Sequence, residues 1–146
     1  MTFCLDTDVN EFLVRQMSPV FSSSDIELWQ AAVGAANGNH ACKDWSRALP
    51  YFDLAVSGVR KYYQQYCGYL GSTLEKYSEC LFLSGHTEQV RTSSDPREVL
   101  SSIQARTTIQ EAERIMRIIP GKENYYYKKH FLPKYKKIRG TAVTEQ

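Results

Sequence analysis

The chain is poor in the patterns that carry chemistry. Its four cysteines, Cys4, Cys42, Cys67 and Cys80, are scattered, with no CxxC pair and no Cys/His ligand spacing; this argues against a zinc site. There is no Walker loop and no GxGxxG turn, and Gly68 and Gly71 fall inside a helical pattern and not after a strand. His40, His86 and His130 fall in separate loop or tail segments, none in a metal spacing, and read as solvated residues. Glu111 and Glu113 stand two apart on a helical stretch, hence on different faces, and make no paired acid. No catalytic set, metal or cofactor is implied, and the expectation is a protein that is not an enzyme.

Long apolar runs are missing as well. No stretch approaches the 18 or so residues of a membrane span, and Met1 to Met17 is broken by Asp6, Asp8, Glu11 and Arg15. Neither a span nor a signal peptide is expected. The default location is the reducing cytoplasm, with the thiols free and behaving as small half-buried hydrophobes. No internal repeat occurs, and no strand pattern competes, since Tyr125-Tyr126-Tyr127 is too short alone.

What the chain does have is an apolar ladder: Phe52, Val56, Val59, Tyr63, Tyr66, Leu70, Leu74, Tyr77 and Leu81. Its mean spacing is about 3.6, the period of a straight α-helix. Pro50 suits a first helical turn and Ser84-Gly85 a stop, so one long amphipathic helix, or two end to end, is expected over about 50–83. Gly58, Gly68 and Gly71 are its weak points, each costing about 1 kcal/mol against Ala, and 68–72 is the natural place for a break.

Other helices are signalled around it. Residues 7–17 have a possible cap at Asp6 or Thr7, acidic Asp8 and Glu11 near the positive N-terminal end, and Val9, Phe12 and Leu13 as an apolar face. Residues 25–36 open at Ser24 with Glu27 three positions on, carry Ile26, Trp29, Ala32, Val33 and Ala36, and end at Asn37-Gly38-Asn39. After a polar connection over 85–94, Asp95-Pro96-Arg97-Glu98 opens a helix expected over 96–119. Ala105, Ile109, Ala112, Met116 and Ile119 recur along it, and Pro120-Gly121 stops it. At 146 residues with 42% apolar content, the expectation is an all-α protein, an antiparallel helical bundle or hairpin, with one helical domain over 1–121.

Charge and tyrosine set the last segment apart. Residues 1–124 hold 12 Lys and Arg against 15 Asp and Glu; residues 125–146 hold six against Glu145 alone. Lys128, Lys129, Lys134, Lys136, Lys137 and Arg139 interleave with Tyr125, Tyr126, Tyr127, Phe131 and Tyr135 in a basic aromatic tail over 122–146. Cations attract phosphate or acidic surfaces and aromatic faces stack on bases, so nucleic acid, an anionic surface or an acidic partner all suit it. The alternative is a solvated end whose aromatics pack back on the bundle.

The ladder also has two readings: a packed seam between helices, or a docking face made by Tyr63, Tyr66, Leu70, Leu74 and Tyr77. A stripe along a helix of about 50 Å is hard to cover with few partners, which favours self-association or a hydrophobic partner. Over residues 50–119 the pattern resembles the phasin family that coats bacterial polyester granules. The resemblance is carried by the long amphipathic helix, a polar turn, then Asp95-Pro96-Arg97-Glu98-Val99-Leu100, Gln104, Ala112 and Met116. The ten Tyr, two Trp and four Cys depart from the Ala/Lys/Glu/Gln-rich composition of that family. It implies a non-enzymatic amphiphile that self-associates and lays helical faces on a granule. The leading expectation is therefore a helical interaction protein, a homo-oligomer or a binder of a helical partner or hydrophobic surface. The alternatives are a nucleic-acid-binding module led by the tail, or a small secretion or assembly adaptor.

Overall fold

A computed structural model describes residues 2–21, 25–62, 67–85 and 96–140. The protein is all-α, as expected, with no strand among the described residues. Its helices are α1 (Thr2–Met17), α2 (Ile26–Ala41), α3 (Trp45–Tyr62), α4 (Gly68–Gly85) and α5 (Pro96–Met116), followed by wide turns at Arg117–Gly121 and Tyr127–Phe131 and by α6 (Leu132–Arg139). They form two compact units, Met1–Gln65 and Tyr66–Gln146.

In the first unit α2 is the central helix, and its neighbours run antiparallel to it. Thr7 faces Gly38 and Asn10 faces Gly34, while Val14 packs with Leu28, Ala31, Ala32 and Ala55. As the number rises along α1 it falls along α2. The same holds for α3: the His40 and Trp45 rings lie 5.4 Å apart at one end, and Trp29 meets Gly58 and Tyr62 at the other. Small residues set the spacing, because a Cβ at Gly38 would collide with the Thr7 hydroxyl and one at Gly58 with the Trp29 Cβ. Trp29, Ala32, Ala35, Ala36, Ala48, Phe52 and Val59 are buried completely or nearly so.

Two local expectations change here. Asn37-Gly38-Asn39 does not end α2, which continues to Ala41 because Gly38 admits Thr7 and the Asn39 amide has buried work to do. The turn falls at 42–44, where Lys43 takes the left-handed conformation (φ 61°) usually left to glycine. Pro50 sits not in the first turn of α3 but one turn further in. Ser24 of the expected capping box lies outside the described residues. α2 opens behind Asp25, whose side chain makes no cap hydrogen bond.

In the second unit α4 and α5 are antiparallel: Gly71 faces Ile115 and Met116, and the Gln104 amide donates to the Tyr77 hydroxyl at 3.1 Å. Leu70, Leu74, Tyr77, Cys80 and Leu81 of α4 bury against Ala105, Ile109, Ala112, Ile115 and Met116. Thus the ladder over 50–83 is carried by two helices, α3 and α4, with Cys67 outside helix between them. Gly68 opens α4, a position where glycine costs less than in a helix interior. The described members of the stripe, Phe52, Val56 and Val59 in the first unit and Leu70, Leu74, Tyr77 and Leu81 in the second, are buried. α5 ends close to its expected stop: Ile119 is extended (φ −132°, ψ 105°) before Pro120, and Gly121 takes φ +110°. Asn124 then restarts the chain as helix, its side-chain oxygen accepting from the Tyr126 amide at 2.8 Å.

Candidate functional site

Three buried carboxylates organise the polar interior, and none stands out in the sequence. Glu11, only 2% exposed, lies mid-helix in α1. It accepts from the Asn39 amide of α2 at 2.7 Å and from both arms of the Arg47 guanidinium of α3, at 2.9 and 2.5 Å. One carboxylate thus joins three helices, with the bidentate geometry that arginine favours. Burial pushes the Glu11 carboxyl up, but the Arg47 and Asn39 hydrogen bonds outweigh it and hold the group below the usual carboxylate range. Its role is this junction, not the helix-end electrostatics its sequence position suggested.

In the second unit two adjacent tyrosines use two such acids. The Tyr126 hydroxyl donates to Glu75 of α4 at 2.8 Å, and the Tyr127 hydroxyl to Glu113 of α5 at 2.7 Å. Glu75 also receives Lys134 at 2.7 Å, and Lys134 reaches Glu79 at 3.1 Å. Glu113 receives both arms of Arg117, at 3.0 and 2.5 Å. Burial, then the Arg117 and Tyr127 hydrogen bonds that outweigh it, leave Glu113 below the usual carboxylate range. Burial and the carboxylate partners push both tyrosine hydroxyls up to about 12.

The residues singled out from the sequence fall as follows. Leu70, Leu74 and Tyr77 are buried in the second unit and form its core, so they present no docking face; Tyr63 and Tyr66 lie outside the described residues. The segment read as a tail is helical over 125–139 and part of the second unit, with Tyr127, Phe131 and Ile138 buried. Of its cations, Lys134 is drawn inward to Glu75 and Glu79, and Arg139 turns onto Tyr135, donating to its hydroxyl at 3.0 Å. Lys128, Lys129, Lys136 and Lys137 are exposed. Among the described residues no group of His, Cys, Asp and Glu is arranged to hold a metal ion, and no helix is long and apolar enough to cross a membrane.

No family model, curated protein or solved structure matches this chain.

The surface itself offers one feature that folding alone does not require. α1 is amphipathic in reverse. Over residues 6–17, Thr7, Glu11 and Val14 are buried, while Val9 is 56% exposed, Phe12 51% and Leu13 37%. At 100° per residue the two sets stand on opposite sides of the helix. Val9, Phe12 and Leu13 do form a face, as their spacing predicts, but it points to solvent because α2 and α3 engage the polar side through Asn39 and Arg47. Val20 and Phe21 extend the exposed apolar surface past the end of the helix. Nearby, a groove of about 450 Å³ between α1 and α3 is lined by Val14, Pro50, Tyr51, Asp53, Leu54 and Ser57.

Proposed function

We propose that this protein is a non-catalytic helical interaction module that self-associates through the outward face of α1. The observation that carries the reading is the exposure of Val9, Phe12 and Leu13 opposite the buried side of that helix. Grouped large apolar side chains kept in water are disfavoured by about 1.5–3 kcal/mol each relative to burial, so such a face favours a covering partner.

A second copy fits it. Asp8 and Arg15, both exposed, lie along one edge of the stripe and sit symmetrically about positions 11–12; Asp8 also makes a loose, solvated pair with Arg47 at 4.0 Å, which exchanges readily. In an antiparallel pair of α1 helices, Asp8 of each copy lies beside Arg15 of the other, Val9 meets Leu13, and Phe12 approaches the two-fold axis. That arrangement is self-complementary and closed, as an isologous dimer requires. One helix face makes a small interface, so association is reversible and depends on concentration. Light scattering coupled to size exclusion tests it. Arg15→Asp shifts the full chain toward monomer, and Asp8→Arg combined with Arg15→Asp restores the dimer. A double variant no better than the single one overturns the pairing.

A variant of the same reading is the granule coat that the phasin-like resemblance implies; since Leu70, Leu74 and Tyr77 are buried, the face that would lie on the granule is that of α1, which lies outside the resembling stretch 50–119. Adsorption to polyester particles that Phe12→Lys abolishes is its signature.

A further inference from the structure

The outward side of 125–139 has a composition that packing within the second unit does not explain. Its inward residues Tyr127, Phe131 and Ile138 are buried, and the acids that this segment meets, Glu75, Glu79 and Glu113, are engaged by Lys134, Arg117 and the two tyrosine hydroxyls. The exposed side is left with cations. Lys129, Lys136 and Lys137 make no ion pair among the described residues, and Lys128 meets only the largely solvated Glu123 at 2.8 Å. Surface pairs of that kind contribute little and exchange readily.

Beside these lysines stands a small aromatic platform. His130 lies 5.6 Å from the ring of Tyr125 and 5.4 Å from that of Tyr126, and Tyr125 is 68% exposed. A solvated face carrying several free cations and an open ring is the combination that tracks a phosphate backbone while stacking on its bases. We infer that the Lys128, Lys129, Lys136 and Lys137 face of 125–139, with Tyr125 as its stacking ring, binds single-stranded nucleic acid. This site goes beyond the α1 face proposed for self-association and does not depend on it.

Two features favour that occupant. An interfacial membrane helix inserts an apolar face, but here Phe131 and Ile138 are committed to the protein interior and the free face is polar. A purely acidic protein partner would leave the exposed ring of Tyr125 without a role. Unpaired bases present π-faces to it, whereas duplex bases are already stacked on one another.

The test is fluorescence anisotropy of a labelled oligothymidylate with the full chain. Neutralising about four phosphates on a single strand gives a log–log salt slope near −3. The combined charge reversal Lys129→Glu, Lys136→Glu and Lys137→Glu is expected to weaken binding at least tenfold at low salt and to flatten that slope toward −1. Tyr125→Ala is expected to weaken binding severalfold with the slope unchanged, since it removes stacking and no charge. All these side chains face solvent, so helicity by circular dichroism stays as in the parent. A duplex of the same length and anionic phosphatidylserine vesicles serve as competitors. Failure to bind the oligonucleotide at low salt overturns the proposal. So does an unchanged affinity in the triple variant, or displacement by vesicles more effective than by unlabelled single strand.

Discussion

Tyr127 donates its hydroxyl to Glu113 at 2.7 Å across 14 residues of chain, and that bond places the C-terminal segment against α5. The neighbouring Tyr126 makes the equivalent bond to Glu75 of α4. The C-terminal segment is therefore part of the second unit's polar interior as well as of its core. Tyr127→Phe keeps the ring packing and removes one bond to a charged, mostly buried acceptor, at a cost of about 1.5–3 kcal/mol. Thermal unfolding followed by circular dichroism should show the midpoint falling by several degrees.

Alkaline pH attacks the same contacts. Both hydroxyls have their pKa raised to about 12 from an ordinary value near 10. Lys134 is also raised, since the Glu75 and Glu79 contacts outweigh its burial. A raised folded pKa gives stability that is complete below the unfolded value and lost as pH climbs through the folded one. Burial also pushes the Cys80 thiol up to about 12 from about 9, so stability should be flat to about pH 9 and fall between about 9 and 12. Tyr126→Phe combined with Tyr127→Phe should be less stable at neutral pH and fall less steeply over that window. Urea midpoints measured across the range check this.

The Glu11 junction responds to acid. Its folded pKa is lowered, so its contribution is present above the unfolded value and lost as pH drops through the folded one. Arg47→Met leaves Glu11 buried with Asn39 alone and should lower stability at neutral pH. Because Trp29 and Trp45 both lie in the first unit, tryptophan fluorescence during urea unfolding reads this loss directly. An unchanged midpoint would show that the junction adds nothing.

Gly58 tests the close approach of α3 to α2. A Cβ there meets the Cβ of Trp29, which cannot move without shifting its helix. In an exposed helix Gly→Ala stabilises by about 1 kcal/mol; here Gly58→Ala should destabilise by about 1–3 kcal/mol through overpacking. The sign of the change, read from the same tryptophan transition, decides it.

Much of the fold was legible because it rests on local rules. Pro96 opens α5 and Pro120-Gly121 stops it, and the ladder spacing marks the residues that α3 and α4 bury. Partner choice was less legible. Val9, Phe12 and Leu13 look like a core face, and only contacts to Asn39 and Arg47, 28 and 36 residues beyond Glu11, turn that face outward. Asn37-Gly38-Asn39 looks like a helix end until Thr7 is seen filling the space at Gly38. For the basic tail the packing of its aromatics back on the helices was one of the readings open, and Tyr127 and Phe131 do so; which acids hold Tyr126, Tyr127 and Lys134 was not legible, because they lie on α4 and α5. A truncation at Pro120 would remove Tyr127, Phe131 and Ile138 from the second unit's core, so point substitutions are the cleaner probes.

Sedimentation equilibrium of the full chain over a hundredfold concentration range tests the self-association claim most directly. The α1 pairing predicts a reversible monomer–dimer equilibrium, with Phe12→Lys monomeric throughout and its helicity unchanged. A parent protein that stays monomeric at every concentration, or a dimer that Phe12→Lys leaves intact, would contradict it.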